Sequence, residues 1–298
     1  MSYRLRLFLI MVVIGTIGLF VTPLGLPSAL VACMRAIIGS LCLLLWIKIK
    51  GIKIEPAAIK NNRLLLLGTG LAMGFNWIFL FEAFKQASVS LGTIAYYMAP
   101  VLIVMTAPLF FKEPLTKGKI IMIVTAFIGM VMISLSASFL EGRVIVGLGY
   151  GLMAAILYAS IMIMNKKMQG IEVLVKTAVQ LGLAAVILVI YCLFNFDIEV
   201  WHFSFSQWWV LLTIGVVHTG FAYVVLFDAF DHLPSHTASL LTFVDPVTAI
   251  FLSVLLLGER LTLMQLFGAI LILGATFFNE YQQFRHKENL VELDQERS

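Results

Sequence analysis

Charge is scarce in this chain. Asp, Glu, Lys and Arg make up 12% of its residues, about half the share of an ordinary soluble domain, so a water-solvated globular fold is excluded for most of it. Cysteine is almost missing as well. Cys33, Cys42 and Cys192 all fall inside apolar runs, without metal-ligand spacing and with no soluble module to staple. The five histidines are scattered, and there is no GxSxG nucleophile, HExxH zinc helix or GxGD aspartate pair. Enzyme chemistry, a metal and a cofactor are therefore not expected. The stretch GLGYG at 147–151 has no preceding strand or βαβ unit and is rejected as a phosphate loop. A formal net charge of +4 is too small to point to nucleic acid.

What is abundant is apolar length. Hydrophobic residues reach 61% and the mean hydropathy is +1.02, and runs of roughly 20 residues suit a hydrocarbon core about 30 Å thick. Ten can be drawn: 5–22, 28–47, 64–84, 90–111, 119–138, 147–165, 174–195, 207–228, 236–257 and 263–281. The first is too long for a secretory signal and has no cleavage site followed by a polar domain, so it is read as a permanent span. With the N-terminus in the cytoplasm, sixteen Lys and Arg residues lie inside and only Lys85, Arg143 and Arg260 outside. That bias predicts a multi-pass protein of the cytoplasmic membrane with both termini cytoplasmic. The charged stretch after Tyr281 is expected to be disordered.

The two halves repeat each other at an offset of 146 residues, Gly74–Thr116 against Gly220–Thr262, with twelve identities in 43 positions. Pro100/Pro246, Glu113/Glu259 and Thr116/Thr262 are the informative ones. Five spans per half is an odd number, so the second half enters the membrane in the opposite sense. The expected fold is all-α and integral to the membrane: ten transmembrane helices as two inverted five-helix repeats, residues 1–140 and 141–281, followed by a tail at 282–298. Such repeats place a substrate site near the midplane, with access alternating as one bundle rocks on the other. Pro100 and Pro246 stand about ten residues into spans four and nine, where a proline is expected to kink its helix.

The stretches FEAFKQASVSLGTIAYYMAPVLIVMTAPLFFKEPLT and FDAFDHLPSHTASLLTFVDPVTAIFLSVLLLGERLT together resemble the EamA repeat of the drug/metabolite transporter superfamily. The resemblance covers residues 5 to 281. It implies a secondary transporter that moves a small metabolite, an amino acid or related amphipathic solute, in the export direction. The alternative is uptake of sugars, nucleotide-linked metabolites or drugs; an intramembrane enzyme ranks below both. Arg35, in VACMRAIIGSL, is similar to an Arg the family carries after its first loop. Asp245 stands where many members have Glu.

Several polar groups inside the spans are candidates for binding or gating. Asp245 is ten residues into span nine, where a carboxylate costs roughly 2.5–3.5 kcal/mol on translocon scales. It must be neutral, paired or wet, either as a contact to a substrate amine, as a proton site, or as a support for Pro246. Glu82 and Asp228 hold equivalent positions near opposite mouths, and Glu82 can also pair with Lys85. Arg35 can bind a carboxylate, pair with Glu82 or tether helices, with Gln180 its neutral counterpart. His218 is a proton carrier or a satisfied core histidine. Asn76, Trp77, Thr93, Tyr96, Tyr97, Tyr158, Ser239, Thr242 and Phe243 lie at midplane depth and can wall an aromatic cavity or simply pack. Gly68, Gly70, Gly74, Gly147, Gly149 and Gly151 are expected to allow close helix approach. The expected partners are a small-molecule substrate and the lipid bilayer, with protons the candidate coupling ion and the chain a monomer or homodimer.

Overall fold

A bilayer core offers no hydrogen-bond partner to a free N–H or C=O, so apolar runs cross it as helices or as a closed barrel. The computed structural model describes residues 2–111, 115–138, 142–232, 241–242 and 244–296. Among these it contains helices and no strand. Six helical stretches are long and apolar enough to cross a membrane: Tyr3–Leu24, Ser28–Lys50, Arg63–Gln86, Gly142–Asn165, Val173–Asn195 and Phe205–Leu226. Val89–Ile103, Val244–Leu256 and Leu263–Ala275 are shorter apolar helices.

The elements are α1 (Tyr3–Gly15), α2 (Ile17–Val21), α3 (Ser28–Lys50), α4 (Pro56–Asn61), α5 (Arg63–Gln86), α6 (Val89–Tyr96), α7 (Ala99–Phe111), α8 (Lys117–Ser138), α9 (Gly142–Lys167), α10 (Val173–Asn195), α11 (Phe205–Leu212), α12 (Ala222–His232), α13 (Val244–Leu256) and α14 (Leu263–Glu296). Local chemistry sets many boundaries. Pro27 precedes α3, and Gly51 ends it at φ 65°, a left-handed conformation that suits glycine. Ser204 and Gln207 cap α11 reciprocally.

The helices turn apolar residues both ways. On α3 one side buries Ala36, Ser40, Leu43 and Ile47, while Leu41, Leu45 and Ile49 on the other are exposed, as lipid rather than water requires. Packing between such helices depends on close approach, since lipid is as apolar as leucine. A Cβ on Gly70 would lie 2.7 Å from Leu183 Cβ, and one on Gly74 3.3 Å from Leu188 Cγ, so α5 seats closely on α10. Gly68 faces Met164, and Gly147 and Gly151 face Ala87 and Ala95. Gly149 breaks the expectation: nothing lies within 4 Å of where its Cβ would be. α8 and α14 also cross closely, with Gly129 and Gly268 each presenting a backbone oxygen 2.6 Å from the other's would-be Cβ.

Other sequence expectations are corrected. The fourth span is not one kinked helix; α6 ends at Tyr96, Tyr97 and Met98 turn, and α7 begins at Ala99. Pro100 therefore stands in a first turn, where its missing N–H removes no hydrogen bond. Pro246 stands likewise in the first turn of α13. Thr213–Phe221 winds as a π-helix between α11 and α12, a wider winding that apolar periodicity does not announce. The segment after Tyr281 continues as helix to Glu296, consistent with its helix-favouring Gln, Glu, Lys, Arg and Leu. Glu113, Ser239 and Phe243 lie outside the described residues.

The pairing pattern places the later site. α5 packs on α9 and α12 on α1; α5 packs on α10 and the π-helix on α3. α6 and α7 pack on α9, and α13 packs on α1 and α6. α3 meets α10, and α8 meets α14.

Candidate functional site

The starts of α7 and α13 meet through a tyrosine and an acid. Tyr97, in the turn between α6 and α7, donates its hydroxyl to Asp245 Oδ2 at 3.0 Å, and the Thr242 carbonyl oxygen lies 3.4 Å from the same hydroxyl. Asp245 belongs to the first turn of α13, where the helix dipole favours a negative charge. Gly15 makes room: a Cβ there would lie 2.7 Å from the Asp245 carbonyl oxygen, so α1 runs close past the acid.

Aromatic rings surround this pair. Tyr96 meets Tyr97 and Tyr158 edge to face, with centroids 6.1 and 5.5 Å apart, a preferred arrangement of ring quadrupoles. Arg35 is buried; its Nε donates to Thr219 Oγ1 at 2.7 Å, and its guanidinium carbon stands 4.2 Å from the Trp77 ring centroid. It is also within electrostatic reach of Tyr223, Tyr96 and Asp245. A guanidinium that donates to a hydroxyl and stacks on indole is less costly to desolvate than a bare cation. Asn76, also buried, donates to the Ala154 carbonyl oxygen at 2.6 Å and so joins α5 to α9. Arg35, Trp77, Tyr96, Tyr97, Tyr158 and Asp245 thus form one cluster, drawn from α3, α5, α6, α9 and α13.

Other sequence candidates lie apart from it. His218 is buried in the π-helix with Nε2 2.9 Å from Thr16 Oγ1 and Nδ1 3.4 Å from the Thr213 carbonyl oxygen, and Phe20 packs edge-on against its ring. Both ring nitrogens have partners. Glu82 stands 3.9 Å from Lys85 rather than on Arg35, and Lys85 also donates to the Leu26 carbonyl oxygen at 2.5 Å. Asp228 pairs with Arg6 at 3.1 Å, which ties α12 to α1. Gln180, the neutral counterpart of Arg35, donates to Thr69 Oγ1 at 2.9 Å and Asn165 Oδ1 at 2.6 Å. One cavity of about 140 Å³ lies away from the cluster, in the loops after α3 and α9, lined by Lys53, Glu55, Ile59, Ile171 and Glu172.

Tyr223 and Thr219 were not legible as cluster members from residue type alone. Tyr223 had a signal in the repeat, since it aligns with Trp77 at the 146-residue offset, and Arg35 lies by both. Thr219 had none; the π-helix turns it toward Arg35. This geometry carries an expected result. Arg35→Lys keeps the charge but cannot supply the planar guanidinium, and it should destabilise the protein by about 1.5–3 kcal/mol. Thermal unfolding of the purified variant in detergent reads this loss, and an unchanged midpoint would show that Arg35 does not tether α3 to the π-helix.

A model of the EamA-like transporter family matches residues 3–135 and again 145–280. The chain is 29% identical over 274 residues to an uncharacterized transporter of Bacillus subtilis (strain 168), YxxF, with 90% of this chain and 86% of that protein covered. It is 25% identical over 271 residues to a second from the same organism, the uncharacterized transporter YoaV, covering 88% and 90%. A solved crystal structure shares the fold with a TM-score of 0.62 at 18% identity, covering 92% of this chain and 96% of that one.

Proposed function

Since the chain belongs to the EamA-like transporter family, we propose that it is a secondary carrier exporting a small amphipathic metabolite of the amino-acid class across the cytoplasmic membrane. The observation that carries it is the hydrogen bond between Tyr97, at the break in the fourth span, and Asp245, in the first turn of α13. Freed backbone, a carboxylate, a guanidinium and tyrosine hydroxyls within one aromatic cluster are what a carrier needs to hold a solute with both polar and apolar parts. Asp245 would take the solute's amine or a coupling proton. Arg35 would hold the cluster's shape, and Tyr96, Tyr97, Tyr158 and Trp77 would face the apolar part.

Alternating access requires two halves that can exchange roles, and the packing supports two inverted five-span repeats over residues 1–140 and 141–281. Under an exchange of halves, the α5–α10 contact becomes the contact of the π-helix with α3. The atoms follow: Gly74 meets Leu188, and Gly220 meets Cys42, with both members shifted by 146 residues. Gly129 and Gly268 meet each other where α8 crosses α14, the last long helix of each half. The two family matches, one per half, agree with this.

A metabolite screen on cells overexpressing the chain tests the function. An extracellular rise of one amphipathic solute is expected. A rise confined to the cell interior would replace export by uptake. Flux in sealed vesicles that ignores an imposed pH gradient would remove proton coupling.

A further inference from the structure

Of the repeated Glu-x-Leu-Thr motif, Glu259 lies apart from the cluster yet makes a contact that joins the halves. α13 ends in a turn in which Gly258 takes φ 67° and the Glu259 N–H reaches back to the Ser253 carbonyl oxygen at 3.3 Å, a glycine-terminated helix end. The turn presents the Glu259 side chain to the start of α6. There Oε1 accepts the Val89 N–H at 2.7 Å and Oε2 the Ser90 N–H at 3.0 Å. These are two of the donors a helix N-terminus leaves unpaired. The next, Leu91 N–H, is taken locally by Ser88 Oγ at 3.1 Å. Beneath the carboxylate, the hydroxyls of Ser90 and Ser253 hydrogen-bond to each other, and both residues are fully buried.

The far end of α6 is held by the same partner helix, since Tyr97 donates to Asp245 at the start of α13. A short helix of the first half is thus fastened at each end by a carboxylate of the second. Its continuation behaves differently: α6 packs on α5, α9 and α13, whereas α7 packs on α9 and α8, and the turn at Tyr97 and Met98 separates them. The two fastenings also differ in setting. Asp245 sits within the aromatic cluster, where a solute's donor competes with the Tyr97 hydroxyl. Glu259 is half-buried in a loop, where water can take over its hydrogen bonds when α6 leaves.

We propose that α6 is a moving gate of the carrier, hinged at Tyr97 and Met98 and latched shut at its N-terminus by the Glu259 carboxylate. The proposal rests on the carrier reading and adds the moving part to it. Solute binding at Asp245 releases one fastening, after which the Glu259 carboxylate and the Ser90–Ser253 hydrogen bond keep this mouth closed. Hydrogen bonds to a charged acceptor are stronger than those to a neutral one, so Glu259→Gln weakens the latch without removing side-chain volume.

The test is a distance measurement between spin labels at Ser88→Cys, the residue that opens α6, and Arg260→Cys, on a full chain whose three native cysteines are replaced by serine. Pulsed dipolar spectroscopy in proteoliposomes then reads the separation of the two sides of the mouth. Glu259→Gln is expected to raise the ratio of long to short separations by about tenfold, the effect of losing one charge-assisted contact. An unchanged distribution in a folded Glu259→Gln protein overturns the proposal and leaves Glu259 a helix cap, even if flux is intact. Should that variant not fold, Ser253→Ala, which keeps the cap, carries the same expectation, and an unchanged distribution there also overturns it. Because no transported solute is needed, a shift supports the gate independently of whether the solute screen succeeds.

Discussion

Asp245→Asn is expected to reduce flux of the solute identified by the screen about 100-fold, equivalent to roughly 2.7 kcal/mol, while leaving the protein folded. Asparagine keeps the size of the side chain and an oxygen to accept the Tyr97 hydroxyl, which now stands 3.0 Å from Oδ2. What it removes is the negative charge and the ability to carry a proton. Arg35, within electrostatic reach, would then face the cluster without its anionic neighbour. Asp245→Glu should keep much of the flux, since the chemistry is retained and only the reach changes. Vesicle transport with matched protein levels gives the measurement. Full flux in the Asn variant would reduce Asp245 to a support for the start of α13 and remove it from substrate and proton handling alike.

Gly268→Leu should cause the largest loss of stability, about 3 kcal/mol, and pull α14 away from α8. The new Cβ would lie 2.6 Å from the Gly129 carbonyl oxygen and 2.6 Å from Ile133 Cγ1. Backbone cannot rotate aside as a flexible side chain can, so the helices themselves must separate. Gly129→Leu should behave alike, because it meets the Gly268 oxygen at 2.6 Å. Gly274→Leu on the same helix is the control. Nothing lies within 4 Å of its would-be Cβ, and a change of under about 0.5 kcal/mol is expected there. Thermal loss of the monodisperse detergent-solubilised protein, followed by size exclusion, separates these outcomes. Equal stability of the Gly268 and Gly274 variants would show that the α8–α14 crossing can open without cost.

Much of the candidate site was readable because it concerned rare residue types in an apolar background. Asp245, Arg35, Trp77 and the tyrosines at 96, 97 and 158 stand out in a chain with 12% charge, and they do come together. Glu82, Asp228 and His218 stood out equally well but lie apart from the cluster; Lys85 was legible as the partner of Glu82 three residues on, whereas Arg6 for Asp228 and Thr16 for His218 were not. Rarity marks a residue as costly to bury; it does not say which neighbour removes the cost. The prolines show the same limit. Their register was plain in the repeat, yet whether each bends a helix or begins one depends on where the preceding hydrogen bonds stop, and Tyr97 and Met98 decide that for Pro100.

The helical class, the lipid surroundings, the family and the 146-residue register follow from the sequence alone, because each is a property of composition or of spacing along one dimension. The tertiary structure decided which side of each helix is buried, which glycines touch, and that Glu259 caps a helix 170 residues away in the chain. The reason is the solvent. In water, the buried face of a helix is its apolar face, and the sequence declares it. In a bilayer the core and the surroundings are both apolar, so helices such as α3 are hydrophobic around their whole circumference. Their rotation is set only by close packing and a few hydrogen bonds, and these exist only once the neighbours are in place.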